Sequence, residues 1–331
     1  MYVFDVSSVR FVHTGFMQYE RGVSVVIPCY NREQHLEECI QSVLDQESDF
    51  PVEIIIADDG SKDESMVIAQ SMSVVEQEKN NAQFPEEADE DFFGSTILVV
   101  EKPVDCETQG AAPTRNRGVE RAQYSYVAFL DSDDLFLPGH LKRLFHLLED
   151  RPDFSAAVDQ LYGFDTDIEK RWMMPYSDID MVQLESFFLS PYFNPSVAMI
   201  RHTVLDELDG PFEETLRFAQ DIDLFFRILE KHQIAILPEP GAGLREHDER
   251  STGGKSPYLQ YRYAEMAFNR AVARYPYPKK LIRKRKAALQ FRLAQADMWE
   301  RKYIFAVVRL FYAFLLDPGR AIQTVLRRKF G

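Results

Sequence analysis

Cysteine is scarce in this chain, with three residues among 331. Cys29, Cys39 and Cys106 are odd in number and lack the spacing of metal ligands, which argues against a disulfide scaffold or a zinc module. A reducing cytoplasm is the simplest interpretation, with Cys29 and Cys39 as small buried side chains. The 45% apolar content is ordinary for a packed globular core.

The sequence also has no apolar run long enough to cross a bilayer. Its most apolar stretch, residues 303–316, is interrupted by Arg309 and falls short of the roughly 20 residues that a spanning helix needs. Charged residues break up residues 1–21, so we predict an extra strand or arm there and not a signal peptide. No solenoid or heptad repeat is present. We therefore predict a cytoplasmic protein with one large α/β domain and a helical appendage.

Three apolar runs predict buried strands at residues 23–27, 52–57 and 126–130. Helix-prone segments alternate with them, which indicates βαβ units and a largely parallel sheet. The carboxyl ends of such strands meet at one edge, where ligands collect in open α/β sheets. Polar turns follow the three runs: Pro28-Cys29-Tyr30-Asn31-Arg32, Asp58-Asp59-Gly60-Ser61 and Asp131-Ser132-Asp133-Asp134.

The turn after the third run brings three carboxylates together at Asp131, Asp133 and Asp134. Mg²⁺-type ions are bound by one or two carboxylates together with substrate phosphates, so the turn suits a metal-bound diphosphate. The alternative is a solvated acidic turn before a helix that begins near Pro138. Asn31, in the first turn, is a candidate cap for the helix that follows it.

The ordered set of motifs resembles the nucleotide-sugar half of family 2 glycosyltransferases with a GT-A fold. The motifs are Val25-Val26-Ile27-Pro28-Cys29-Tyr30-Asn31, Asp58-Asp59-Gly60-Ser61-Lys62-Asp63, Arg115-Asn116-Arg117-Gly118 and Phe129-Leu130-Asp131-Ser132-Asp133-Asp134. The resemblance implies a Rossmann-like, mostly parallel central sheet flanked by helices. It is clear over residues 22–150, weaker to about 250, and absent from the last quarter.

We predict three parts in this chain, and the resemblance covers only the middle one. Residues 1–21 form an N-terminal arm, and residues 22–254 form the GT-A domain. Within that domain a donor half covers residues 22–150 and an acceptor half covers residues 151–254. Residues 255–331 form a basic, helical C-terminal extension.

In the family pattern, Pro28, Tyr30 and Arg32 lie along the nucleotide, and Asp59 accepts a hydrogen bond from the imide N–H of uracil. A carboxylate only accepts hydrogen bonds, so it favours a base edge with an N–H, as in uracil, thymine or guanine. The alternative for Asp59 is a turn former beside Gly60. We expect a UDP-hexose or UDP-N-acetylhexosamine donor.

The resemblance places Arg115 by the ribose or diphosphate, which a guanidinium suits, although a surface arginine is an open alternative. It places Asp131 near the ribose, includes Ser132 among the donor-binding residues and makes Asp133 the ligand of Mn²⁺ or Mg²⁺. Asp134 is expected to orient the groups that coordinate this ion. A cation there stabilises the departing diphosphate.

Inverting transfer needs a base, and Asp221 matches the family's position for it, although Gln220 stands where glutamate is usual. The alternative is that Asp221 or Asp223 caps the helix that starts there. His247 is the candidate for a loop histidine that serves some members of the family as a further metal ligand. The alternative is an ordinary surface histidine. Candidate acceptor-side residues are Asn194-Pro195-Ser196 and Trp172, the latter with a core position as its alternative.

Charge is divided unevenly along the chain, which has a net charge of −15. Residues 275–331 contain fourteen Lys or Arg against three Asp or Glu, a balance of +11. This basic, aromatic segment either lies on an anionic membrane or packs against the acidic catalytic domain. Nucleic acid is not an expected partner, because the acidic bulk of the chain repels a polyanion.

The sequence thus predicts a metal-assisted, inverting glycosyltransferase that acts on a hydroxyl of a glycan or lipid-linked glycan. It is expected in the cytoplasm, and peripheral binding to the inner face of the cytoplasmic membrane is left open as an alternative. One alternative is a sugar-nucleotide nucleotidyltransferase, but the 28–32 turn lacks the glycine-rich phosphate loop expected of it. The other is a degenerate scaffold that binds glycans without catalysis.

Overall fold

A computed structural model describes residues 19–83, 95–106, 108–164, 180–245 and 257–319. Within these ranges a nine-stranded mixed sheet is flanked by helices and followed by a helical extension. The strand order is β3-β2-β1-β4-β8-β6-β9-β5, with β7 paired to β9. The strands are β1 Glu20–Cys29, β2 Val52–Asp58, β3 Ser95–Val100, β4 Tyr124–Phe129, β5 Leu135–Phe136, β6 Ala156–Phe164, β7 Asp180–Met181, β8 Ala198–Arg201 and β9 Ile234–Arg245.

The first four strands pair in parallel, as the alternation of strands and helices predicted. β1 lies between β2 and β4, so the three polar turns that follow these strands emerge at one edge of the sheet. β2 is buried along its whole length because helices cover both faces of the sheet, which suits its largely apolar sequence. Glu53, the charged residue inside the strand, accepts a hydrogen bond from Ser24 Oγ of β1 at 2.6 Å. The helices of this half are α1 Leu36–Leu44, α2 Ser65–Gln83, α3 Ala111–Val119 and α4 His140–Asp150.

The α3 helix approaches the sheet closely at Gly118. A Cβ atom at this position would lie 2.3 Å from Val26 Cγ1 on β1, so only glycine fits without a shift. The close approach places the polar face of α3 beside the ends of β2 and β4.

The second half of the sheet is mixed in direction. β8 is antiparallel to both β4 and β6, whereas β6 and β9 are parallel. The helices here are α5 Leu184–Leu189, α6 His202–Asp206 and α7 Gln220–Leu229.

The apolar residues 234–237 predict only a short strand, but β9 continues from there to Arg245. Its continuation contains Pro238 and Pro240, although proline cannot donate to a strand ladder. In the structure the pairing with β6 shifts register on either side of Gln160, and the Gln160 side chain donates to the Pro238 carbonyl at 2.9 Å. The irregular pairing accommodates the prolines and lets β9 reach Arg245.

Three helices form the C-terminal extension: α8 Pro257–Arg274, α9 Lys279–Trp299 and α10 Tyr303–Leu316. Phe268 and Ala271 of α8 belong to the main hydrophobic core, so α8 is packed on the catalytic domain. Among the described residues, none of the helices is long and apolar enough to span a bilayer.

Candidate active site

The turns after β1 and β2 are joined by backbone and side-chain hydrogen bonds. Asp59 N donates to the Cys29 carbonyl at 2.9 Å. Asn31 N donates to Ser61 Oγ at 3.0 Å, and Asn31 Oδ1 accepts from Lys62 N at 2.8 Å. The two loops therefore form one connected wall at the edge of the sheet.

Asn31 does not cap α1, contrary to the prediction from sequence. The residue that precedes α1 is His35, and it makes no side-chain capping bond. Asn31 lies in the left-handed region, with φ of 50°, a conformation that asparagine tolerates better than most residues. Its side chain is thereby directed to Lys62 N across the loop.

Asp58 forms the turn after β2. Its carboxylate accepts from Gly60 N at 2.7 Å and from Ser61 N at 3.1 Å. The turn-forming role considered for Asp59 is therefore filled by its neighbour, which leaves the Asp59 side chain available for another contact.

The Asp59 carboxylate points towards the loop before α3. Its Oδ2 accepts from Gly110 N at 2.7 Å, and its Oδ1 lies 3.6 Å from Lys102 Nζ and 3.8 Å from Arg117 Nη2. Gly110 has φ of 113°, so a side chain there would be strained. Oδ1 is buried, and among the described residues it has no hydrogen-bond partner, although the two cations surround it.

The acidic turn after β4 is buried, so the alternative of a solvated turn is wrong. Ser132, Asp133 and Asp134 are all nearly inaccessible to solvent. Ser196 Oγ accepts from Asp131 N at 3.2 Å and donates to Asp134 Oδ2 at 3.2 Å. Ser196 was predicted as part of an acceptor-side wall, and here it buttresses the turn.

Arg245, at the end of β9, contacts the same turn and was not identified from sequence. Its backbone N donates to Asp134 Oδ1 at 3.1 Å, and its Nε donates to the Asp133 carbonyl at 3.2 Å. Its Nη2 pairs with Glu38 of α1. Arg245 thus fixes the acidic turn to a helix from the start of the chain.

Arg32 connects the first turn to the third. Its backbone N donates to Ser65 Oγ at 2.7 Å, and its Nε lies 3.4 Å from Asp133 Oδ2. Arg32 and Asp133, predicted as donor-binding and metal-binding residues, are therefore in direct contact.

Arg115 is buried, with 5% of its surface exposed, so the surface alternative is wrong. Its Nη2 donates to Asp131 Oδ1, and its guanidinium lies over the Phe212 ring at 5.3 Å. Within the described ranges, its Nε and Nη1 have no hydrogen-bond partner. Such buried donors are costly unless they are satisfied, so an anion or hydroxyl is the expected partner.

Asp221 lies in the first turn of α7 and retains partial exposure. Burial raises the pKa of its carboxyl, and the charge of Asp131 acts in the same direction. The Ile222 N–H and the charge of Arg115 oppose the rise in pKa. Asp221 is thus electrostatically coupled to the Arg115–Asp131 pair, which places it in the same group of residues.

Neither Asp221 nor Asp223 caps α7, so the capping alternative is wrong. The N-cap is Ala219, which has φ of 59° and makes no side-chain capping bond. Asp223 is fully buried and lies 3.1 Å from Arg227, 3.5 Å from Arg270 and 3.6 Å from Arg274. It serves the packing of α8 on α7.

The remaining predicted residues divide into two groups. Tyr30 is 49% exposed on the turn after β1, a large side chain left uncovered at the edge of the sheet, and Pro28 is partly exposed beside it. His247 and Trp172 lie outside the described residues.

The side chains of this site can bind a divalent metal only together with a bound substrate that supplies further oxygen ligands. No cluster of three or more His, Cys, Asp or Glu able to hold an ion occurs within the described ranges. Asp133 offers a carboxylate at the edge of the sheet, beside Arg32. Mg²⁺ and similar ions commonly take one or two protein carboxylates and complete their shell with phosphate oxygens and water, so Asp133 fits that arrangement.

The family model for glycosyl transferase family 2 matches residues 24–84 and 102–209, just over half of the chain. An uncharacterized glycosyltransferase of Rickettsia typhi is 26% identical over 245 residues, covering 71% of this chain and 67% of that protein. A putative teichuronic acid biosynthesis glycosyltransferase, TuaG of Bacillus subtilis, is 34% identical over 129 residues, covering 39% of this chain and 42% of that protein.

Solved structures with a similar fold include two that contain a nucleotide sugar. S. aureus TarS, residues 1–349 in complex with UDP-GlcNAc, has a TM-score of 0.58 and 16% identity over 90% of this chain and 91% of that one. Mannosyltransferase PcManGT from Pyrobaculum calidifontis, in complex with GDP-Man and Mn²⁺, has a TM-score of 0.59 and 18% identity over 94% of this chain and 80% of that one. The chain belongs to glycosyl transferase family 2 and is a transferase with the GT-A fold.

Proposed function

We propose that this enzyme transfers a hexose or N-acetylhexosamine from a UDP-sugar to a hydroxyl of a glycan or lipid-linked glycan, with inversion at the anomeric carbon. The observation that carries the proposal is a set of buried polar atoms with unused hydrogen-bonding capacity at one edge of the sheet. They are Asp59 Oδ1, the Nε and Nη1 atoms of Arg115 and the same atoms of Arg117. A ligand with both an N–H and anionic oxygens satisfies such a set.

The base of the nucleotide is assigned to the Asp59 side of the site. Asp59 Oδ1 accepts only, so it pairs with the imide N–H of uracil. Guanine also has a ring N–H and is the competing base. TarS, a neighbour in fold, was solved with UDP-GlcNAc, which supports uracil, and PcManGT was solved with GDP-Man.

The diphosphate is assigned to Arg115 and to the acidic turn. The free Nε and Nη1 of Arg115 suit phosphate or ribose oxygens. Asp133 is the residue that would bind Mn²⁺ or Mg²⁺, with Arg32 beside it. When bound, the metal offsets the negative charge that grows on the departing nucleoside diphosphate. Asp134, Ser196 and Arg245 keep the turn in place for that role.

Asp221 is assigned as the general base. It accepts the proton of the acceptor hydroxyl as that oxygen attacks the anomeric carbon, and the bond from that carbon to the diphosphate breaks. The raised pKa makes Asp221 a stronger base than an ordinary aspartate, while Arg115 nearby favours its ionised form.

The acceptor is assigned to the class of cell-envelope glycans. Its support is the similarity to TuaG, described as a teichuronic acid biosynthesis enzyme. Nucleotide sugars are made in the cytoplasm. A lipid-linked acceptor would therefore place the reaction at the cytoplasmic face of the membrane.

Donor binding is tested by thermal unfolding with UDP and Mn²⁺, each at about 100 times its Kd. The melting temperature of the parent is expected to rise by about 5 °C. Asp133→Ala should lose most of the Mn²⁺-dependent rise, whereas the exposed control Glu47→Ala should keep it. An equal rise in Asp133→Ala would remove Asp133 as the metal ligand. A parallel hydrolysis screen of UDP- and GDP-sugars identifies the donor, and hydrolysis of GDP-sugars alone would reject uracil recognition.

A further inference from the structure

The α10 helix is apolar over most of its circumference and exposed. Nine of its fourteen residues are apolar or aromatic side chains left open to solvent. At 100° per residue they cover an arc of about 200°, roughly twice the apolar stripe of an ordinary surface helix. These residues are Tyr303, Ile304, Phe305, Val307, Val308, Phe311, Tyr312, Phe314 and Leu315.

The opposite side of α10 is fixed to α9. Ala306 and Ala313 are buried, and their small size lets the two helices approach closely. Arg309, the one charged residue of α10, donates to Asp297 Oδ2 at 2.8 Å and to Gln290 Oε1 at 2.9 Å. The only charge on the helix therefore faces α9, and its outer arc is wholly uncharged.

The α9 helix is in turn attached to the rest of the molecule. Arg285 Nη1 donates to the Leu189 carbonyl of α5 at 2.8 Å, and Gln290 Nε2 donates to Glu265 Oε1 of α8 at 2.9 Å. The exposed arc of α10 thus belongs to a structure anchored on the catalytic domain.

Aromatic and basic residues surround the turn between α9 and α10. Trp299 and Tyr303 are largely exposed, and Arg301 and Lys302 lie between them. Over residues 275–319 there are ten Lys or Arg against three Asp or Glu, a balance of +7. Trp and Tyr favour the level of lipid headgroups, where basic side chains meet anionic lipids.

We propose that α10 docks on an anionic lipid bilayer, with its outer arc in the boundary between headgroups and acyl chains. At 1.5 Å per residue the helix is about 21 Å long, too short for a hydrocarbon core of about 30 Å, so it lies along the surface and does not cross it. A second copy of the chain is the less favoured occupant. One helix of a partner copy covers only part of the 200° arc. The C-terminal segments of two copies, each with a balance of +7 over residues 275–319, also repel each other.

This inference concerns where the enzyme works and is independent of which sugar it transfers. Docking through α10 would bring the enzyme to acceptors carried by membrane lipids. The donor site at the edge of the sheet would still take up nucleotide sugar from the cytoplasm. Vesicle binding and donor hydrolysis report on the two proposals separately.

The test is co-sedimentation of the full chain with vesicles of phosphatidylcholine alone or with 30% phosphatidylglycerol. Ile304→Gln combined with Phe311→Gln should weaken binding to the anionic vesicles by about tenfold or more, because two large apolar side chains leave the bilayer. Val67→Gln with Val74→Gln is the matched control. These two residues of α2 are each 55% exposed and have the same spacing of seven. The control should bind like the parent, and neutral vesicles should bind the parent at least about tenfold less.

A tenfold loss in the α10 variant, with unchanged melting temperature and donor hydrolysis, supports the proposal. Equal binding by parent and α10 variant overturns it. It is also overturned if the parent binds neither vesicle. If sedimentation velocity then shows a dimer that the α10 variant dissociates, the occupant is a second copy; a monomer with no vesicle binding means that the chain itself covers α10. Quenching of Trp299 by brominated lipid, in a Trp172→Phe background, should parallel the sedimentation result.

Discussion

Asp221 and Asp223 are two residues apart on one helix, yet they lie in opposite environments. Asp223 points into the protein among three arginines and is fully buried. Asp221 keeps partial exposure and is coupled to Arg115 and Asp131 at the edge of the sheet. Substituting them should therefore separate an effect on catalysis from an effect on folding.

Asp221→Asn is expected to reduce sugar transfer by about 10²- to 10⁴-fold, the usual contribution of a general base. The amide is similar in size to the carboxylate, so the rise in melting temperature with UDP should stay within about 1 °C of the parent's. Transfer is measured with a saturating acceptor and a radiolabelled donor. A variant that transfers at close to the parent rate would show that the base lies elsewhere.

The pH dependence of transfer follows from the pKa of Asp221. Because burial raises that pKa above the ordinary value of 3.8, the folded protein keeps the proton to higher pH than the unfolded chain. The base acts when ionised, so the acidic limb of kcat/KM should lie above pH 3.8. By linkage, the Asp221 contribution to the free energy of unfolding is complete below the unfolded-state pKa and is lost as the pH rises through the folded-state pKa. Asp221→Asn should remove this slope in denaturation measured from pH 4 to 7.

Motifs predicted the residues that follow strands, but not the residues that complete their environment. Asp59, Asp131 and Asp133 were identified because each lies in a polar turn after a strand-like run, within a motif that resembles the family's. Lys102 and Arg245 were missed, because their partners lie more than 40 and more than 100 positions away in sequence. Contacts at such separation depend on the tertiary fold and leave no local pattern.

At the level of elements, the position of α3 depends on the absence of a side chain at Gly118. Gly118→Ala is expected to cost about 1–3 kcal/mol in free energy of unfolding, because the added Cβ would lie 2.3 Å from Val26 Cγ1. Val26→Ala removes that atom, so the double variant should be more stable than the sum of the two single changes predicts. Urea denaturation of all four proteins measures the coupling. Additive losses would mean that α3 shifts freely.

The parallel strands were predictable because burial on both faces demands a continuous apolar run. β1, β2 and β4 each carry a largely apolar run, interrupted by Ser24 in β1 and by Glu53 in β2, and all three were placed correctly. β9 was predicted only in its first part, because its continuation through Pro238 and Pro240 depends on the irregular pairing with β6, which leaves no local pattern in the sequence. A sequence pattern reports the burial of a strand, but it does not report the register of its partner.

At the level of the whole molecule, the C-terminal extension is attached through buried charge. Arg270 and Arg274 of α8 reach Asp223 of α7, and Arg274 also pairs with Glu230 at 2.6 Å. Within the basic segment 275–331, the predicted packing on the catalytic domain is seen for α9, where Arg285 donates to the Leu189 carbonyl of α5, whereas the outer face of α10 stays uncovered among the described residues.

Asp223→Ala is expected to lower the free energy of unfolding by about 3–5 kcal/mol, because three arginines lose a buried partner. Asp153→Ala is the matched control, since Asp153 also pairs with an arginine, Arg151, but at an exposed site. Its cost should be below about 1 kcal/mol. Guanidinium denaturation followed by circular dichroism measures both. Similar losses in the two variants would show that Asp223 does not secure α8.

The contacts of Arg245 have a consequence for recombining this enzyme with its relatives. The resemblance suggests an exchange at residue 150, with a new acceptor half grafted onto the existing donor half. Arg245 and Ser196 come from beyond that junction, yet both bond to the 131–134 turn. A chimera that lacks them would inherit the nucleotide pocket without its supports, so a productive graft must retain these two side chains from the original chain.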